Sequence, residues 1–217
     1  KKGLAAILEG GKFETLDEEV NDYAKKEIRA NAGTDFYYGS IGLNIAARVV
    51  EIIAKKNFEQ LMNVKLLRPL NMRNTNFTPL NNRCVNPSGG AVSTAADYTN
   101  FLSMILNKGM FNGKRILSEA SIEMMQTPQM TSNMIAFTPA AATGFDYGLG
   151  EWIQEKDANG KTTVVSSPGL FGTWPLVDIC RGYCCIFFVK NNLGEVKSKL
   201  YMDLKASIDN EIASTCK

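Results

Sequence analysis

Phe36-Tyr37-Tyr38-Gly39-Ser40-Ile41-Gly42 runs directly into Leu43-Asn44-Ile45-Ala46-Ala47-Arg48-Val49-Val50-Glu51-Ile52-Ile53. The first stretch reads as an aromatic turn and the second as a helix. Ile45, Val49, Ile52 and Ile53 recur on one face, so a half-buried helix is expected over about 42–55. In a turn that opens a helix, Tyr38 would serve as a proton acceptor. Ser40, two residues on, would be a hydrogen-bond partner near a substrate. The same residues also suit a packed aromatic turn whose phenol is satisfied. The rest of the chain decides between the two.

Upstream, residues 4–30 read as mainly helical. Thr15-Leu16-Asp17-Glu18 has the form of a capping box, with Thr15 as N-cap and Glu18 at the third helical position. Downstream, a helix over about 57–67 ends before Pro69-Leu70-Asn71-Met72, and residues 73–92 form a loop closing on Asn86-Pro87-Ser88-Gly89-Gly90. Ser93 or Thr94 caps the next helix, whose apolar positions are Tyr98, Phe101, Leu102, Ile105 and Leu106. Another begins at Leu117-Ser118-Glu119-Ala120-Ser121, and residues 127–145 read as a long loop. From Tyr147 the pattern changes to short runs, Tyr147–Gln154, Thr162–Ser166, Gly172–Asp178 and Tyr183–Lys190. Asp157-Ala158-Asn159-Gly160 marks a hairpin among them. A helix over about 195–213 follows. The class is α+β: a mainly helical region, 1–145, then three to four antiparallel strands and a closing helix in 146–217, all in one domain.

Composition removes several classes of function. With 217 residues and a net charge of +2, the chain has no electrostatic footprint for nucleic acid. No apolar run approaches the roughly 18 residues of a membrane span. The apolar run after Lys1-Lys2-Gly3-Leu4 is too short for a signal peptide. There is no histidine, which excludes a Ser-His-Asp or Cys-His mechanism and any histidine-based zinc site. The five cysteines lack a Cys-x-x-Cys pair and read as mostly free, partly buried thiols, with no metal cluster. Cys184 and Cys185, adjacent in a strand, should face opposite ways.

Five segments then occur in a telling order. They are Phe36-x-Tyr38-Gly39-Ser40-x-Gly42 before a helix carrying Glu51, and Pro69-Leu70-Asn71-Met72 with Thr75 and Phe77. Next come Gly89-Gly90-Ala91-Val92-Ser93-Thr94-Ala95-Ala96-Asp97 and Tyr147-Gly148-Leu149-Gly150. The last is Ser166-Ser167-Pro168-Gly169-Leu170-Phe171-Gly172-Thr173. This succession resembles the serine β-lactamase and penicillin-binding-protein-like hydrolases, particularly their class C and esterase-like branch, from about residue 15 to the last helix. The resemblance implies a β-lactamase-like fold, incomplete at its N-terminus.

The same resemblance implies the chemistry. A serine in a Ser-x-x-Lys helix attacks a carbonyl while lysine and tyrosine handle the proton. Tyr38 matches the tyrosine of the Tyr-x-Asn motif, as general base and acid. Ser40 stands where that motif has asparagine, and its hydroxyl lacks the amide's second donor. Ser167-Pro168-Gly169 aligns with the Lys-Thr-Gly or His-Thr-Gly motif of an edge strand. There Ser167 would face the substrate, Gly169 would let the strand approach it, and the Leu170 N–H would be an oxyanion donor. With serine in place of lysine or histidine, a neutral ester, amide or peptide is favoured over a β-lactam. No metal or organic cofactor is implied.

The nucleophile motif has no match upstream of Tyr38. The sole Ser-x-x-Lys is Ser214-Thr215-Cys216-Lys217, at a chain end, where rigid support is poor. The expectation is therefore part of a serine hydrolase whose nucleophile is not in this chain. The alternative is a binding module that keeps the cleft without the chemistry. A homodimer or an N-terminal segment should cover the sheet edge. Relatives of this type are often periplasmic or secreted, whereas free thiols lean towards a reducing compartment.

Overall fold

Local signals dictate the helix starts in the computed structural model, which describes residues 13–28, 30–77, 84–189 and 198–216. Helix α1 (Leu16–Tyr23) begins where Thr15 Oγ1 accepts the Glu18 N–H at 3.2 Å, and Glu18 reaches back to the Glu14 N–H at 3.0 Å. These bonds satisfy donors that a helix N-terminus leaves open. Strand β1 is Phe36–Tyr37. Helix α2 (Ile41–Ala54) follows, then α3 (Phe58–Met62), which widens into a π turn at Asn63–Leu67. The chain divides into two compact units, residues 1–31 with 39–97 and residues 32–38 with 98–217.

In the first unit Leu16, Ala47 and Phe58 make a core, joined by Val20, Met62, Phe77 and Val85. Helix α2 does not bury the stripe its periodicity suggests. Ile45, Val49, Ile52 and Ile53 are all exposed, Ile53 at 77%, while Asn44 and Ala47 are buried. The cause is a set of specific polar bonds. Asn44 Nδ2 donates to Glu19 and its Oδ1 accepts the Ser88 N–H, each at 3.2 Å. Arg48 pairs with Asp17 at 2.7 Å, and Glu51 accepts the Phe58 N–H at 2.7 Å. Buried polar groups must be paired, so the polar side of α2 faces inward and the aliphatic stripe faces out.

Helix α4 (Ala95–Leu106) is capped by Thr94, whose Oγ1 accepts the Asp97 N–H at 3.2 Å. Strands β2 (Met110–Phe111) and β3 (Lys114–Arg115) pair as a hairpin, and Ser118 caps α5 (Glu119–Gln126). Residues 127–145 are not simply a loop. They contain β4 (Ile135–Phe137), which pairs in parallel with β1.

Among the described residues, the main sheet of the second unit has five antiparallel strands, one more than the upper expectation. In order they are β5 (Asp146–Tyr147), β6 (Trp152–Lys156), β7 (Thr162–Ser166), β8 (Trp174–Asp178) and β9 (Tyr183–Phe187). Gly150, at φ +84°, turns the chain between β5 and β6 and so divides the run from Tyr147 to Gln154. The expected hairpin joins β6 to β7: Asp157 Oδ1 accepts the N–H groups of Asn159 and Lys161, each at 2.9 Å.

Helix α6 (Ser198–Asp209) covers one face of the sheet. There Tyr201 packs with Trp174 and Leu176, and with Cys185 and Phe187. Helix α4 meets the other face, where Ser103 Oγ lies 3.7 Å from the Cys184 sulfur. The adjacent cysteines therefore face opposite ways, as alternation requires. The α6 face also holds a buried ion cluster. Lys205 Nζ lies 2.6 Å from Asp209, 3.1 Å from Glu155 and 3.2 Å from Asp178, and Tyr183 donates to Asp209 at 2.8 Å. Burial opposes the Lys205 charge, but these carboxylates outweigh it and raise its pKa.

The cysteine reading needs one correction. Cys84, Cys184 and Cys185 are free, but Cys180 and Cys216 form a disulfide with Cα atoms 5.1 Å apart. Thr215 N–H donates to the Cys180 carbonyl at 2.8 Å, and this contact holds the tail beside the turn after β8. A partner 36 residues away leaves no spacing signal.

Candidate active site

Tyr38 directly follows β1, and its N–H donates to the Phe137 carbonyl of β4 at 3.1 Å. Its ring lies 5.1 Å from Trp152 and 5.9 Å, edge-on, from Tyr147. Tyr147 is itself 4.8 Å from Phe36 and 4.7 Å from Trp152. These four rings clamp the Tyr38 turn to the start of β6. Burial, followed by the charges of neighbouring Tyr38 and Glu151, pushes the Tyr147 phenol up to about 12.

Trp152 pairs with Ser166 at the end of β7, so Tyr38 and Ser167 both adjoin one strand pair. The Ser167 N–H donates to the Pro175 carbonyl at 3.3 Å. A tight turn follows, closed by Gly169 N–H to the Thr173 carbonyl at 2.7 Å and Gly172 N–H to the Gly169 carbonyl at 2.9 Å. Leu170 lies in this turn and is 41% exposed. The motif is not on an edge strand: β7 is the middle strand of five, and residues 167–169 lie past its end. A Cβ on Gly169 would make only ordinary contact, 3.4 Å from the Thr173 oxygen. The fold itself therefore does not demand glycine at 169.

Ser40 belongs to the first unit. It is the exposed N-cap of α2, its side chain makes no capping bond, and its carbonyl accepts the Asn44 N–H at 2.9 Å. Among the other hydroxyls, Ser93 shares a 2.7 Å bond with Thr75, and Thr94 is the cap of α4. Ser214 is exposed beside the disulfide, and Lys217 lies outside the described residues. Trp152 and Trp174 are buried, whereas Phe171 is 39% exposed. Among the described residues, no group of three or more Cys, Asp or Glu could hold a metal ion, and no helix is long and apolar enough to cross a membrane.

Glu151 belongs to none of the sequence motifs. It follows Gly150 and is 9% exposed, and its Oε1 is buried without a hydrogen-bond partner. Burial pushes its carboxyl up to about 7. The available signal was a lone acid between Gly150 and the apolar pair Trp152-Ile153.

The beta-lactamase family model matches residues 3–206, and the chain belongs to the beta-lactamase family. Its fold is shared by a candidate beta-lactamase from Bacteroides dorei DSM 17855, at TM-score 0.77 and 27% identity over 91% of this chain and 65% of that one. EstCE1, a hydrolase with promiscuous acyltransferase activity, matches at TM-score 0.71 and 16% identity, over 89% of this chain and 61% of that one. Protein Rv1367c of Mycobacterium tuberculosis H37Rv is 28% identical over 116 residues, 49% of this chain and 29% of the relative. The chain thus spans under a third of that curated relative and about two thirds of the first solved structure.

Proposed function

We propose that this chain is the later part of a β-lactamase-like domain that works as a serine hydrolase, with its nucleophile in a segment outside residues 1–217. The reaction is acyl transfer to serine followed by hydrolysis of a neutral ester, amide or peptide. Tyr38 acts as general base and acid, Ser40 positions the substrate, Ser167 faces it, and the Leu170 N–H is an oxyanion donor where the carbonyl charge develops. Gly169 keeps the backbone open to the substrate. The observation that carries this reading is the convergence of Tyr38 and Ser167 on the paired Trp152 and Ser166. Rigid strand ends are where a catalytic constellation holds its geometry.

A non-catalytic binding module is the second reading, favoured by Ser40 and Ser167 standing where the resemblance has asparagine and lysine or histidine. The exposed aliphatic stripe of α2 suits either reading, because an N-terminal segment or a second copy of the chain could cover it. Intact-mass spectrometry after treatment with a fluorophosphonate, and separately a penicillin, tests the proposal. The expected result is no adduct on residues 1–217 and one serine adduct on the product of the longer reading frame. An adduct on Ser40, Ser167 or Ser214 would overturn the assignment of roles. No adduct on the longer product would favour the binding module.

A further inference from the structure

Within the second unit, α4, α5 and strands β7 and β8 line a half-open cavity of about 290 Å³. That is near the lower end of small-molecule sites, which run from roughly 300 to 1,000 Å³. Phe101, Leu102 and Ile105 of α4 form one wall, and Val165 and Val177, partners in the β7–β8 register, form another. Among the described residues, Glu151 is the only carboxylate in the lining, and no lysine or arginine is there. Its Oε1 is buried with no hydrogen-bond partner. An orphaned carboxylate oxygen in the apolar wall of a cavity is costly unless something meets it, and a turn of the carboxyl would bring it to the opening.

We propose that this cavity binds a small apolar primary amine, with the ammonium on Glu151 and the hydrocarbon against α4 and the two valines. An ammonium supplies both a donor and a countercharge, an alcohol supplies only a donor, and an anion is repelled. The other titratable groups near Glu151 are Tyr98 of α4 and Tyr147 of β5. Both phenols are pushed up to about 12, chiefly by burial, and stay neutral at physiological pH. The Met125 end of α5 and the β7 and β8 residues in the lining contribute no charge. Ser167 also lines the cavity, so an amine-bearing substrate group would suit the hydrolase reading. Binding is nonetheless read at equilibrium, without turnover, so either idea can fail alone.

Isothermal titration with hexylamine and with 1-hexanol tests the proposal. With the Glu151 carboxyl near 7, hexylamine should bind about tenfold more tightly at pH 8 than at pH 6, while hexanol binding stays flat. Glu151→Gln should remove the pH dependence and at least tenfold of hexylamine affinity while keeping hexanol binding, which reports an intact cavity. Equal binding of the two probes at pH 8, or no binding of either, would overturn the inference. So would hexylamine affinity that is flat with pH in the unchanged chain, a test that needs no variant.

Discussion

The central strands and helix α2 are built from similar aliphatic residues with opposite outcomes. In β7 and β8, Val164, Val165, Leu176 and Val177 are at most 1% exposed. In α2, Ile45, Val49, Ile52 and Ile53 are between 38% and 77% exposed. The strands have a helix on each face. Helix α2 is anchored through Asn44, Arg48 and Glu51, so its orientation is set by polar bonds. Hydrophobic periodicity shows which residues share a side of an element, but not whether this chain covers that side.

Three experiments sharpen this contrast, and the largest effect belongs to the sheet unit. Lys205→Ala leaves Asp178, fully buried, and Asp209 with only the Arg181 guanidinium, 3.3 Å and 3.5 Å away, and should cost about 3 kcal/mol of stability, the low end for a broken buried pair. A urea midpoint near that of the unchanged chain would show the cluster to be solvated. Next comes Glu151. Its folded value of about 7 lies above the ordinary 4.5, so between these values the folded chain holds a proton that the unfolded chain has lost. This contribution is complete below 4.5 and is lost as pH rises through 7, by about 3 kcal/mol in all. The difference between the unchanged chain and Glu151→Gln in urea melts from pH 4.5 to 8 should follow that course. A constant difference would place Glu151 in contact with solvent. The smallest effect is expected on α2, where Ile52→Gln with Ile53→Gln should shift stability by under about 0.5 kcal/mol. Light scattering of the pair should show less self-association, and a loss above 1–2 kcal/mol would mean that the stripe is packed after all.

The features legible in the sequence were those encoded within a few residues. Thr15, Thr94 and Ser118 cap helices because a side-chain oxygen and the N–H it accepts are three residues apart. Asp157 organises its hairpin for a similarly local reason. The pairing of Phe36 with Ile135 was illegible, because strands of two and three residues carry no period and their partners are far apart in sequence. Tyr38 and Ser167 could be chosen by resemblance to known hydrolases, but the packing of Tyr38 on Trp152, the register partner of Ser166, depends on strand register. Glu151 did not stand out because it lay inside the single run Tyr147–Gln154, and only burial makes its carboxyl unusual.

The bond between Cys180 and Cys216 turns the end of the chain into a covalent ring that contains β9 and α6. A single backbone cut inside that ring would add one water and release nothing. The pieces would stay joined until the disulfide was reduced, so a nicked molecule would migrate as an intact chain under non-reducing conditions.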